Sequence, residues 1–159
     1  MDIKMTALEA YKRFWTQAFV LDERARRKEF WVPFIIHFVL TILLFIVIML
    51  ITDNSDKWLT RVQIMTDIVL AIPFFSVTFR RLQDLNLTGW LALPTYIITT
   101  IYNVTEYMEL DTSAEDAVSF CYFVGALLFF AALTFDGTEG PNRYGHDPRE
   151  IIDEFNPKK

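Results

Sequence analysis

Between Phe30 and Thr52 the chain reads FWVPFIIHFVLTILLFIVIMLIT, without a single Lys, Arg, Asp or Glu. As a helix these roughly 23 residues extend about 34 Å, enough to cross a hydrocarbon core of about 30 Å. Core helices of soluble proteins are rarely so uniformly apolar. The run starts too far along the chain for a signal peptide and has no small-residue cleavage site, so it is expected to remain as an anchor. The whole chain agrees: 53% of its 159 residues are hydrophobic and 22% charged, a share that a membrane protein must confine to its ends and loops.

Three further apolar segments follow. The second, about 59–79, carries Arg61, Asp67 and Pro73; the third, about 90–107, opens after Gly89 and contains Pro94, Asn103 and Glu106; the fourth, about 117–135, is uncharged and ends at an Asp-Gly turn. The expected fold class is therefore all-α: a polytopic membrane protein with four transmembrane helices and an N-terminal amphipathic interfacial helix. Residues 1–23 form the amphipathic part, 24–136 the transmembrane domain and 137–159 a Gly/Pro-rich tail. Four spans put both termini on one side. That side holds 13 basic residues against Lys57 and Arg61 on the other, which places it in the cytoplasm. The formal net charge of −5 conceals this, since the outer segment EYMELDTSAEDA carries five of the acids.

Ahead of Arg24, the residues Leu8, Tyr11, Trp15, Ala18 and Phe19 recur at helical spacing, with Ala7 and Phe14 beside them and Glu9, Arg13 and Gln17 opposite. Such a helix either lies in the inner headgroup layer or packs on the protein's own cytoplasmic surface.

Three motifs collect on that inner face: RARRKEFW entering span one, RRLQDLNLTGW linking spans two and three, and DGTEGPNRYGHDP leaving span four. Together, and in this order between four spans, they resemble the bacterial inner-membrane family catalogued as domain of unknown function 805, over about residues 19–148. Glu23 stands where that family usually has Gly, and Gln83 where it usually has His. An amide neither titrates usefully nor binds metal well, so a hydrogen-bonding role would survive the second change and an acid-base role would not. The resemblance implies a small four-helix protein of the bacterial inner membrane, and no particular reaction.

By their own chemistry the motifs suggest a junction of paired charges. Arg24, Arg26, Arg27, Arg80, Arg81 and Arg143 supply guanidinium forks; Glu29, Asp84, Asp136 and Asp147 supply carboxylates. Asp84 is expected to pair with Arg80 or Arg81, and Asp136 or Asp147 with another arginine. The alternative is a set of separate solvated charges, each pair contributing only about 0–1 kcal/mol. In the tail, Gly137, Gly140 and Gly145 permit turns while Pro141 and Pro148 stop helices. Asn142, Arg143 and Tyr144 are then presented either to the protein's own inner surface or to a partner.

Within the spans, His37, Asp67 and Asn103 are polar, with His37 nearest Ser76 in depth and Asp67 nearest Thr99 and Asn103. They read as interhelical hydrogen bonds or as a proton or solute path. No catalytic constellation, metal-ligand spacing or nucleotide loop is found, so no cofactor or metal is expected, and the lone Cys121 reads as a small packing residue. The function expected is a membrane-embedded interaction or scaffold protein that docks an unknown protein partner or anionic lipid headgroups at its cytoplasmic face. The alternative is a transporter or channel subunit, which four short spans could form only as a homo-oligomer. Nucleic acid is disfavoured, because the arginines lie within headgroup reach of the bilayer.

Overall fold

A computed structural model describes residues 5–52, 56–98 and 112–149. Helices make up the regular structure of these residues: α1 (Ala7–Thr16), α2 (Arg27–Thr52), α3 (Asp56–Asp84), α4 (Gly89–Ile98, opening with a 3-10 turn) and α5 (Thr112–Thr134). Two of them, α2 and α3, are long and apolar enough to cross a bilayer, while α4 and the Ser119–Thr134 part of α5 are shorter apolar stretches.

The sequence TALE starts α1. Thr6 Oγ1 accepts from the Glu9 N–H at 3.2 Å and Glu9 Oε2 accepts from the Thr6 N–H at 2.8 Å, a reciprocal cap that satisfies two backbone donors. The packed face of α1 differs from the one its periodicity suggests. Ala10 and Phe14 are buried, whereas Leu8 is 64% and Phe19 82% exposed. Phe14 decides the rotation, because its ring enters a cluster with Phe74 and His37, at 4.8 and 5.4 Å between centroids. Leu8 and Phe19 are thereby left outside.

In α3, Arg61, Asp67 and Pro73 do not break the helix, which continues for 29 residues, about 43 Å. It also overruns the expected span of 59–79. The residues Arg80–Asp84, expected in a linker, are its last turn and a half. The helix stops at Asn86, whose φ of 61° is left-handed. The Asn86 N–H donates to Gln83 O at 3.0 Å and the Leu87 N–H to Leu82 O at 2.9 Å, the pairing of a Schellman cap, with Asn where Gly is commoner. The chain then turns through Gly89. A Cβ there would come within 2.3 Å of the Phe79 ring, so only glycine lets α4 approach α3 this closely.

Burial is concentrated at one end. Phe14, Ala25, Phe30, Val77, Leu82, Ala92 and Leu133 form a core where α1, the starts of α2 and α4 and the ends of α3 and α5 converge. Along the middles of α2, α3 and α5 large apolar side chains such as Phe38, Leu43, Ile68 and Leu128 remain exposed. So wide an apolar surface on a soluble monomer would promote aggregation; in hydrocarbon it is solvated.

Candidate functional site

The convergent end carries most of the motif residues. Arg80 and Arg81 are adjacent on α3, so their side chains leave it in different directions and reach different partners. Both are fully buried, as is Glu29 in the first turn of α2. Arg80 Nη1 donates to Gln17 Oε1 at 2.7 Å and lies 3.4 Å from Glu29 Oε2. The other Glu29 oxygen accepts from the Arg26 N–H at 3.2 Å and lies 3.6 Å from Arg13 Nη1. Glu29 therefore ties the start of α2 to α1 and α3. Nε and Nη2 of Arg80 have no hydrogen-bond partner among the described residues.

Arg81 turns the other way and closes the C-terminus of α5. Its Nε donates to Leu133 O at 3.2 Å and its Nη2 to Phe135 O, while Nη1 pairs with Asp84 Oδ2. Arg27 adds a bond to Thr134 O at 3.4 Å and an ion pair to Asp136 at 2.6 Å. The last turn of α5 contains no basic residue. Its free carbonyls and negative dipole end are answered by arginines from α2 and α3, which couples the three helices.

Arg24 gathers the tail. Its Nε and Nη2 contact Asp84 Oδ1 at 3.0 and 2.8 Å, Nη1 donates to Gly140 O at 2.7 Å, and Nη2 also donates to Thr138 O at 2.5 Å. Asp84 is thus clasped by two buried arginines, one per oxygen. Its backbone carbonyl accepts from the Thr138 N–H at 2.9 Å. At Gly137 a Cβ would fall 1.9 Å from Asp84 Oδ2, so the tail can cross this carboxylate only as glycine.

Beyond the crossing, Asn142 Nδ2 donates to Gln83 O at 3.0 Å and its Oδ1 accepts from the Tyr144 N–H at 2.8 Å. Arg143 donates to Asn86 O at 2.8 Å and lies over the Tyr144 ring at 4.7 Å. Asp147 is held by Arg149 at 2.8 Å and accepts from the Gly140 N–H at 3.1 Å. Burial by itself would raise the Asp147 carboxyl, but hydrogen bonds from the Arg149 side chain and from the N–H groups of Arg149 and Gly140 outweigh it and hold the group below the usual carboxylate range. Arg149 is pushed up in return, chiefly by its hydrogen bond to Asp147.

The structure therefore brings Arg24, Arg26, Arg27, Glu29, Arg80, Arg81, Asp84, Asp136, Asn142 and Asp147 into one network, with Arg143 and Tyr144 on its rim. His37 and Asp67 do not join it. Asp67 accepts from Gln63 Nε2 at 2.8 Å on its own helix, and Asn103 and Thr99 lie outside the described residues. His37 does not meet Ser76. It sits among Tyr11, Phe14, Trp15 and Phe74 with Nε2 unpartnered, while Ser76 donates to Gln17 O and Val20 O and pins the turn after α1. Cys121 is exposed, not packed. It borders an apolar cavity of about 430 Å³ between α2, α3, α4 and α5, whose walls include Phe34, Phe74, Tyr96, Tyr122 and Phe130.

Sequence reading missed Gln17, Thr138 and Arg149. Gln17 stood on what looked like a solvent face, Thr138 is one small residue among turn formers, and Arg149 follows the motif's final proline.

Comparison with known proteins sets this geometry in a family. A family model described as "Protein of unknown function (DUF805)" matches residues 18–146, which include every group in the network except Arg13, Gln17, Asp147, Pro148 and Arg149. The chain belongs to the DUF805 family. Inner membrane protein YhaH of Escherichia coli (strain K12) is 28% identical to this chain over 134 residues, covering 79% of this chain and 84% of the relative. Inner membrane protein YhaI of the same strain is 27% identical over 126 residues, covering 79% and 83%. No solved structure gives a significant match.

Proposed function

We propose that this DUF805 protein is a small inner-membrane interaction protein whose convergent, charge-paired end faces the cytoplasm and docks a protein partner or anionic lipid. In this reading four helices span the bilayer and both termini are cytoplasmic, in keeping with the distribution of Lys and Arg and with the names of the relatives. Leu8, Trp15 and Phe19, which α1 leaves exposed, then meet the headgroup layer.

The observation that carries the reading is the contrast between the two parts of the molecule. The helix middles expose apolar side chains, whereas at one end three motifs far apart in sequence are stitched into a preorganised surface. A surface held by buried arginines presents its rim residues, Lys12, Arg27, Arg143 and Tyr144, in a fixed arrangement, which lowers the ordering cost of binding. A transport role has less support, since Asp67 bonds within its own helix and no chain of polar groups links it to His37 among the described residues.

The test is mild polymer extraction from native membranes with quantitative mass spectrometry, comparing wild type with Lys12→Glu/Arg143→Glu. These rim changes leave the buried pairs intact. A stoichiometric protein or lipid present with the wild type and lost from the folded variant is expected. Nothing specific with the wild type would refute docking and shift attention to flux assays on Asp67→Asn.

A further inference from the structure

Between the start of α2 and the returning tail lies a second recess, of about 350 Å³. Five cations line it, Arg26, Arg27, Lys28, Arg81 and Arg149, against two acids, Asp84 and Asp136. Most of these charges are already matched. Arg81 pairs with Asp84, Arg27 with Asp136, and Arg149 with Asp147 just outside the recess. Arg26 and Lys28 are different. Arg26 Nε donates to Pro148 O at 3.1 Å and Lys28 Nζ to Met5 O at 3.1 Å, so both are positioned by neutral carbonyls, and no carboxylate among the described residues lies within ion-pair distance of either. Two oriented positive charges thus share a half-enclosed space, beside a wall built from other cations.

We propose that this recess binds the phosphate of an anionic phospholipid from the adjoining leaflet. The inference deepens the docking reading and rests on its placement of this end at the membrane surface. Lys28 precedes the half-buried Trp31 by three residues on the same helix, an axial distance of about 4.5 Å. With Trp31 at the level of the interface, as the docking reading has it, the recess lies at headgroup depth. A phosphate supplies anionic oxygens to the guanidinium fork and the ammonium together. An anionic headgroup suits the recess better than a zwitterionic one, because a headgroup ammonium would return a positive charge to a site already in excess of them.

The test uses the full chain in nanodiscs of phosphatidylcholine with added phosphatidylglycerol, released into native mass spectrometry so that retained lipids are counted. Wild type should retain one phosphatidylglycerol in preference to phosphatidylcholine. Arg26→Gln/Lys28→Gln should lower that retention about tenfold or more, given two lost charges at the surface. Lys28→Gln alone, at an exposed position with a single backbone bond, should lower it in part and guards against misfolding of the double variant. Lys57→Gln/Arg61→Gln, which removes two exposed cations from the start of α3, far from the recess and the docking rim, should leave it unchanged. Equal retention by wild type and both recess variants, equal loss in the Lys57→Gln/Arg61→Gln control, or indifference between the two lipids would overturn the proposal. Displacement of the lipid by millimolar inorganic phosphate would reassign the recess to the free ion. If the recess fails while rim changes still release a protein partner, the docking reading stands without it; if lipid is retained and no partner exists, only the protein-docking part falls.

Discussion

Asp84 is the point at which the tail, α3 and the segment before α2 meet, and a pair of substitutions probes it from both sides. In Asp84→Ala the bond from the Thr138 N–H to the backbone carbonyl can persist, but Arg24 and Arg81 lose their carboxylate while still buried. Removing one partner of a buried pair costs about 3–5 kcal/mol. Both arginines keep carbonyl partners, Gly140 and Thr138 for one and Leu133 and Phe135 for the other, which puts the expected loss near the lower bound, about 3 kcal/mol. Gly137→Ala acts from the opposite side. Its methyl would fall 1.9 Å from Asp84 Oδ2, and that oxygen cannot swing away because Arg81 holds it, so overpacking of about 1–3 kcal/mol is expected. On an Asp84→Ala background the obstruction is gone and Gly137→Ala should cost almost nothing. The double variant should therefore be more stable than the sum of the singles predicts, by about 1–3 kcal/mol. Reversible unfolding in mixed micelles, followed by tryptophan fluorescence, measures all four proteins. Additivity within about 0.5 kcal/mol would refute the close crossing, and a loss under about 1 kcal/mol for Asp84→Ala would refute the buried clasp.

Other substitutions test neighbouring parts of the junction. Arg81→Lys keeps the charge but cannot reach Leu133 O, Phe135 O and Asp84 together, and should cost about 2 kcal/mol in the same unfolding assay. Because the Asp147 carboxyl is held below its ordinary value, its contribution is fully present above the ordinary carboxylate pKa and is lost as pH falls through the lowered folded value. Hydrogen-exchange protection of the Gly140 N–H should accordingly fall in wild type below about pH 4 and be weak at every pH in Asp147→Ala, which leaves no side-chain acceptor. Phe14→Ala should release α1 from α2 and α3 at a cost of about 3–5 kcal/mol, seen as faster trypsin cleavage at Lys12 and Arg13 with no change at Arg80 and Arg81.

Some of this arrangement could be read directly from the residues. The charge-free run at Phe30–Thr52 announces α2, and the recurrence of arginines and acids at three span borders points to where they converge. What could not be read was direction. Arg80 and Arg81 look equivalent in sequence, yet adjacent positions on a helix are separated by about 100°, so one reaches Glu29 and the other caps α5. The same limit applies to α1. Leu8, Trp15 and Phe19 satisfy the helical period as well as Ala10 and Phe14 do, and only the space beside Phe74 decides which set is buried. Arg80–Asp84 looked like a linker because charge was taken to end the span, but long helices continue past the apolar region when their polar side chains find partners. The glycine at 137 was legible as a turn residue; its closeness to Asp84 was not, since that depends on two segments more than fifty positions apart.

The polar character of the junction follows from where it sits. In the proposed four-span arrangement the helices are surrounded by hydrocarbon, where apolar contact offers little net driving force, because lipid tails are as apolar as leucine. Pairing α2, α3 and α5 in one arrangement then depends on interactions that lipid cannot replace: the Arg81 bonds to the end of α5, the Glu29–Arg80 pair and the two arginines on Asp84. Buried charges of this kind add little stability over a well-packed apolar alternative, yet each penalises every register in which its partner is missing. Insertion into the membrane and assembly of the bundle are separable on this account. A chain carrying Asp84→Ala should still insert, since the apolar runs are untouched, while the hold of its α5 and tail on α3 should weaken by about 3 kcal/mol.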